Sequence, residues 1–328
     1  MKNKPLLIVS GEPYSIFLEI FFKIYNSKLI KYYNRPIILI ASKNLLKMQM
    51  KKMRFFFKIN EIKKNDLQKI SINNKKINII DVNLNLKKPF GKISSKSSKY
   101  IDKCFNTSLD LIKKKKAFAM INGPVSKKYF LKKKFLGITE YLAHKTKNKN
   151  NEVMLIYNKT LSVSPITTHT PLKDVTKQIS KKSIIKKIIT INQFYKKKLN
   201  KLARFAITCL NPHCESSSNK NEDDKIIKPA VKLLRKKNIK IEGPFPADTL
   251  FIKNNIKKFD VVIGMYHDQI LTPMKTLFGF NAINITLGLP FIRVSPDHGP
   301  NNRMLGQKKS NPDSLKKSLI FLRKLNEN

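Results

Sequence analysis

Short apolar runs rich in β-branched residues recur from one end of this chain to the other, separated by lysine-rich stretches of helical periodicity. A bounded apolar run of about four to eight residues reads as a buried strand, and the longer amphipathic stretch beside it as a covering helix. Regular alternation of the two is the pattern of an α/β fold. Strands are predicted over 5–9, 37–40, 77–82, 117–122, 153–157, 162–167, 204–210, 261–265 and 282–286. Predicted helices include 97–115, 172–198 and 225–237, and the polar run 216–224 reads as a surface loop.

At 328 residues, with 41% hydrophobic residues, the chain is long enough for two domains and apolar enough to fold despite its charge. The formal net charge of +46 invites a nucleic-acid-binding reading. Only seven of the 67 basic residues are arginine, however, and specific readers of phosphate and guanine rely on the arginine fork. The remaining 67 − 7 = 60 lysines are spread along the chain as a compositional bias over solvated faces, so no specific nucleic-acid partner is expected. Three cysteines without CxxC spacing indicate neither a disulfide framework nor a cysteine metal site. The N-terminal apolar run is too short for a signal-peptide core, and no stretch approaches the ~18 apolar residues needed to cross a membrane. A cytoplasmic protein with no membrane partner is expected.

Three of the five histidines share one kind of position: His169 follows SVSPITT, His213 follows FAITCLNP and His267 follows DVVIGMY. Each stands just past the carboxyl end of a predicted buried strand, where ligands bind in open α/β sheets. Three imidazoles suit a divalent metal and leave positions open for substrate or water; zinc heads the candidates, with cobalt, manganese and magnesium as alternatives. Asp268 and Asp248 add carboxylates that can orient a ligand or accept a proton. Lys275, Asn284 and Arg293 supply an ammonium, an amide and a guanidinium, a set that suits phosphate and carboxylate groups. Arg293 is the most informative, because arginine is scarce in this chain.

The stretches GPVSK (123–127), TEYLA (139–143), TTHTPLKDV (167–175), LNPH (210–213), GPFPADTLF (243–251), MYHDQILTPMK (265–275) and NITLGLPFIRVSPDHG (284–299) stand in order over most of the chain. Together they resemble the 4-hydroxythreonine-4-phosphate dehydrogenases of vitamin B6 biosynthesis. The resemblance implies a two-lobed α/β/α subunit similar to isocitrate and isopropylmalate dehydrogenases, with the active site in the interlobe cleft at a homodimer interface. The lobes are expected at 1–125 with 271–328, on the cofactor side, and at 126–270, carrying the metal and the dimer interface. Implied chemistry is NAD-dependent oxidation of 4-phosphooxy-L-threonine, with NADP the alternative, then decarboxylation to 3-amino-2-oxopropyl phosphate.

The same resemblance assigns His169, His213 and His267 to the metal, with one ligand from the partner subunit, and Thr139, Lys275, Asn284 and Arg293 to the substrate. Asp248, Asp268 and Lys275 become the catalytic candidates, and Gly11, Glu12, His298 and Gly299 the cofactor contacts. The chain departs from the family pattern in GEPYSIFLE (11–19), where later glycines are lost, in NPHCES (211–216) and in DHGPNNRMLG (297–306). It also carries Ile138 where the family has histidine. That change motivates a second reading, a dehydrogenase of another phosphorylated four-carbon acid such as phosphothreonate or phosphoerythronate. The charge and the altered N-terminal segment motivate a third, a catalytically silent basic binding relative.

Overall fold

The structure is a computed structural model that describes residues 4–67, 72–132, 134–215, 221–279 and 281–325. Its strands are β1 (Leu6–Val9), β2 (Ile37–Ala41), β3 (Ile59–Glu61), β4 (Ile77–Asp81), β5 (Ala119–Asn122), β6 (Val153–Tyr157), β7 (Ser162–Pro165), β8 (Phe205–Thr208), β9 (Ile241–Phe245), β10 (Val261–Gly264), β11 (Ile283–Leu287) and β12 (Ile292–Pro296). The longer helices are α1 (Phe17–Tyr25), α2 (Lys43–Lys52), α3 (Ser98–Lys113), α4 (Ile138–Lys145), α5 (Lys181–Leu199), α6 (Lys228–Lys236), α7 (His267–Phe278) and α8 (Asp313–Lys324).

Two compact units result. Residues up to Thr146, with those from Leu289 onward, form the first, and Lys147–Gly288 form the second. The breaks therefore fall after the 125/126 and 270/271 positions expected from the sequence. Helix α4 stays with the first unit because Tyr141 packs edge-on against Phe105 and Phe130, and its hydroxyl donates to Asp102 at 2.7 Å. The segment after 270 stays with the second because β11 pairs antiparallel with β6 along its whole length.

In the first unit the strand order is β3-β4-β2-β1-β5-β12, parallel throughout. β1 and β2 are buried at every position, which is why they read in sequence as unbroken apolar runs, LLIV and IILIA. In the second unit the order is β11-β6-β7-β10-β8-β9, antiparallel at its first two junctions and parallel from β7 onward. Its core gathers Val163, Ala206, Val262, Ile270 and Met274.

All nine predicted strands are present, and β3, β9 and β12 are additional. β3 is a short, half-exposed INE, β9 contains Gly243 and Pro244, and β12 carries a buried arginine, so none shows an apolar run. The single helix predicted over 172–198 is broken at Ile179–Ser180. There the Ser180 hydroxyl accepts from Ser183 N at 3.1 Å and the Ser183 hydroxyl from Ser180 N at 3.2 Å, a reciprocal cap that starts α5 afresh. Of the polar run 216–224, residues 216–220 lie outside the described residues, and Asp223 is fully buried rather than part of a surface loop. Among the described residues no helix is long and apolar enough to cross a membrane.

Asp260, 6% exposed, joins the starts of β8 and β10. Its carboxylate accepts from Lys201 Nζ at 2.8 Å, Arg204 N at 2.9 Å and Arg204 Nε at 3.2 Å. Burial alone would raise this carboxyl, but the bonds from Arg204 and Lys201 outweigh it and hold it below the usual range. A depressed carboxyl stabilises the fold above its unfolded value, near pH 4, and loses that contribution as pH falls through the folded value. Asp260→Ala is expected to cost roughly 1–3 kcal/mol at pH 7, since it removes the acceptor of Arg204 N, while the half-exposed Lys201 and Arg204 side chains return to water. Urea unfolding as a function of pH should show the gap between variant and wild type closing below about pH 4.

Candidate active site

β7, β10 and β8 are adjacent and parallel, so their carboxyl ends open in the same direction, and each is followed by one of the three histidines. The rings of His169 and His267 stand side by side, 5.7 Å between centroids and inclined by 35°. His267 is the first residue of α7, and its Nδ1 lies 2.7 Å from Asp268 Oδ1. With Nδ1–H donated to that carboxylate, Nε2 carries the lone pair, the arrangement in which an outer carboxylate fixes a metal-binding imidazole.

His213 is exposed and left-handed, φ 56°, and Cys214 after it has φ 61°. Two successive non-glycine residues in this region are uncommon and cluster at functional sites. The loop is anchored by Asp223, whose carboxylate accepts from Leu210 N at 2.8 Å, Asn211 N at 3.1 Å and Asn211 Nδ2 at 2.8 Å. Within one chain His213 does not complete the set: among the described residues no three histidine, cysteine, aspartate or glutamate side chains stand together as a metal site. One chain thus offers two neighbouring imidazoles and presents a third outward. This donor set fits a divalent metal if the remaining ligand comes from outside the chain.

Other predicted residues of the second unit fall into two groups. Lys275, on α7, and Asn284, on β11, are half-buried, and Asn284 Oδ1 is enclosed without a hydrogen-bond partner among the described residues. An enclosed amide oxygen is costly unless a ligand engages it. Asp248 and Asp268 are exposed; Asp248 Oδ1 accepts from Thr249 N at 2.8 Å at the start of a short helix.

In the first unit Arg293, on β12, is fully buried. Its Nε donates to Asn122 Oδ1 at 2.7 Å, and Nη1 lies 3.4 Å from Thr139 Oγ1. Burial pulls the guanidinium down to about 10, with Glu140 opposing the shift, so it remains charged at neutral pH. Asn122 was missed in the sequence because it sat inside a predicted strand; its position at the end of β5 was the available signal. Ile138 opens α4 and is half-buried.

The four residues assigned to the cofactor are also in this unit. Gly11 has φ +73°, and a Cβ there would collide with the backbone of Gly123 and Pro124, so only glycine fits. Glu12 is 2% exposed; its N donates to Pro124 O at 2.8 Å and Ser97 Oγ donates to Oε1 at 2.9 Å, while Oε2 is buried without a partner among the described residues. Burial pushes this carboxyl up to about 7 against the pull of the Ser97 bond. His298 stacks on Phe17 and is held neutral by burial, with Nδ1 2.9 Å from Gly299 O. At Gly299 a Cβ would meet nothing within 4 Å, so the surrounding structure does not require glycine there.

Residues 33–321 match the family described as pyridoxal phosphate biosynthetic protein PdxA. A 4-hydroxythreonine-4-phosphate dehydrogenase of Sulfurihydrogenibium sp. (strain YO3AOP1) is 40% identical over 314 residues, 94% of this chain and 94% of its own length. The crystal structure of the enzyme of the same name from Klebsiella pneumoniae superposes with a TM-score of 0.83 at 26% identity, covering 99% of both chains. A terephthalate 1,2-cis-dihydrodiol dehydrogenase from Burkholderia xenovorans LB400, at 18% identity and TM-score 0.65 over 98% of both chains, shares the fold.

A buried carboxyl whose folded value is raised stabilises the fold below its unfolded value and loses that contribution as pH rises through the folded one. For Glu12 that window runs from 4.5 to about 7. Glu12→Gln, which mimics the protonated acid, should therefore melt higher than the wild type at pH 8. The difference should shrink to nothing as pH falls toward the unfolded value, and a variant less stable than the wild type at pH 8 would contradict the reading of Glu12 as a strained buried carboxylate.

Proposed function

Because the chain belongs to the PdxA family, we propose that it is a 4-hydroxythreonine-4-phosphate dehydrogenase. It oxidises the 3-hydroxyl of 4-phosphooxy-L-threonine, and the resulting 2-amino-3-oxo acid loses carbon dioxide to give 3-amino-2-oxopropyl phosphate. The observation that carries this reading is the His169–His267 pair at adjacent strand ends with Asp268 behind it. The protein works in the cytoplasm as a homodimer in which His213 of one chain joins His169 and His267 of the other.

His169, His267 and His213 would hold the divalent metal, zinc foremost, which when bound polarises the substrate oxygen and eases loss of its proton. NAD, with NADP the alternative, would supply the hydride acceptor for this oxidation. The chain's residues do the rest. Asp268 fixes the tautomer of His267, and Lys275 and Asn284 bind the anionic ends of the substrate. Thr139 presents its hydroxyl to the substrate, and Arg293, clamped by Asn122, places a buried positive charge behind that hydroxyl. Asp248, exposed and close to water, is the candidate proton acceptor. Gly11, Glu12, His298 and Gly299 shape the cofactor side.

Ile138 offers no hydrogen bond where the family's histidine can make one, so the wild type should bind its substrate with a raised KM and unimpaired chemistry. A hydrogen bond to a charged group contributes ~1.5–3 kcal/mol, so Ile138→His should lower KM for 4-phosphooxy-L-threonine roughly tenfold to a hundredfold. Turnover with NAD should disappear on chelation and return with added divalent metal. No improvement by Ile138→His on this substrate, together with loss of turnover on phosphoerythronate, would shift the assignment to the other four-carbon acid.

A further inference from the structure

Gln269 lies in the first turn of α7 and bridges two strand ends. Its Oε1 accepts from Met265 N at 2.7 Å and from Thr208 Oγ1 at 2.8 Å, and its Nε2 donates to Cys209 O at 2.7 Å. Met265 is engaged on its other side as well, because its carbonyl accepts from Thr167 N at 3.1 Å and Thr167 Oγ1 at 2.8 Å. A continuous hydrogen-bonded chain therefore runs from Thr167 through Met265 and Gln269 to Thr208 and Cys209. It crosses β7, β10 and β8 just beyond the carboxyl ends of those strands.

Every histidine of the candidate metal set follows a member of that chain. His169 comes shortly after Thr167, His267 after Met265, and His213 after Cys209. The approach of α7 is itself conditional on Gly264, where a Cβ would collide with Ile270 and come within 3.2 Å of Gln269 Oε1. Only an uncharged amide of this length can accept from two donors and donate to a carbonyl at once. Glutamate loses the donor, and leucine loses both functions.

We propose that Gln269 is a positioning residue: it holds the loops of His169 and His267 for the metal site of its own chain and the loop of His213 for the site of the partner, and thereby sets the metal affinity of both. This rests on the metal reading given above. Among the described residues the hydrogen bonds of Gln269 go to Met265, Thr208 and Cys209 and to none of the three imidazoles; it acts through the segments that carry them.

The test is titration of the metal-free, full-length protein with Co²⁺, followed by visible absorption well below the unfolding midpoint, alongside thermal unfolding of the same samples. Gln269→Leu should weaken Co²⁺ binding by roughly tenfold or more and shift the absorption bands, as outer-sphere substitutions at metal sites do, and Gln269→Glu should lie between it and the wild type. Thr208→Val, nearly isosteric and confined to one of the three bonds, should weaken binding about threefold, and it decides the question if Gln269→Leu does not fold. A folded variant with a lowered melting temperature but Co²⁺ affinity and bands like those of the wild type would show a purely structural role and overturn the proposal. A wild-type protein that binds no Co²⁺, or binds it indifferently to His169→Ala and His213→Ala, would overturn the metal reading and this inference with it.

Discussion

Burial of β7, β10 and β8 confines unpaired polar groups to the strand ends: Asp260 serves the amino ends, and the histidines follow the carboxyl ends. All four residues of each strand are buried. Parallel strands cannot be joined by tight turns, so the chain leaves each carboxyl end in a longer segment that must satisfy its own backbone. Thr167, Met265 and Gln269 do this with side-chain and backbone bonds that run across the strands, and Asp223 caps the loop after β8 at Leu210 and Asn211. The result is a polar seam of fixed geometry directly beneath the histidines. Rigid support of this kind is what a metal site needs, since ligands must be placed to within a fraction of an ångström.

The first unit solves a different electrostatic problem. In a chain of net charge +46, cations are plentiful on the surface, yet the informative ones are the few arginines. In this unit Arg293 is clamped by Asn122 inside the protein and Arg35 stacks 4.3 Å above the Phe118 ring, and in the second unit Arg204 forks onto Asp260. Each use exploits a planar, weakly hydrated guanidinium that lysine cannot imitate. Glu12 is the converse case, a carboxyl that burial drives up to about 7 against a hydrogen bond from Ser97.

Much of this was legible in the sequence for a physical reason: strands buried on both faces are largely apolar, so β1, β2 and β10 announce themselves, and β7 and β8 do so through the apolar residues beside their buried serines and threonine. The histidines were legible because each broke an apolar run at its end. β9 and β12 were not, since a Gly-Pro pair and a buried arginine erase the apolar signal while the ladder persists. Gln269 was invisible too, although it follows His267 and Asp268 directly, because its value lies in joining Met265 to two partners distant in sequence, Thr208 and Cys209. Asp223 was misread as surface for the same reason: polarity in a run of polar residues says nothing about the backbone N–H groups a carboxylate will find. Where His213 finds its companions is a matter of assembly, which one chain's periodicity does not encode.

The central claim, a metal site built from His169 and His267 of one chain and His213 of another, is tested most directly by mixing inactive variants. His169→Ala and His213→Ala subunits, unfolded together and refolded as mixed dimers, should regain one intact site per heterodimer. Random pairing makes half the dimers heterodimers with half their sites intact, so about a quarter of the wild-type activity should return. The same experiment with His169→Ala and His267→Ala should regain none, because both lesions fall on the same side of every site. Recovery in the second mixture, or none in the first, would contradict the shared site.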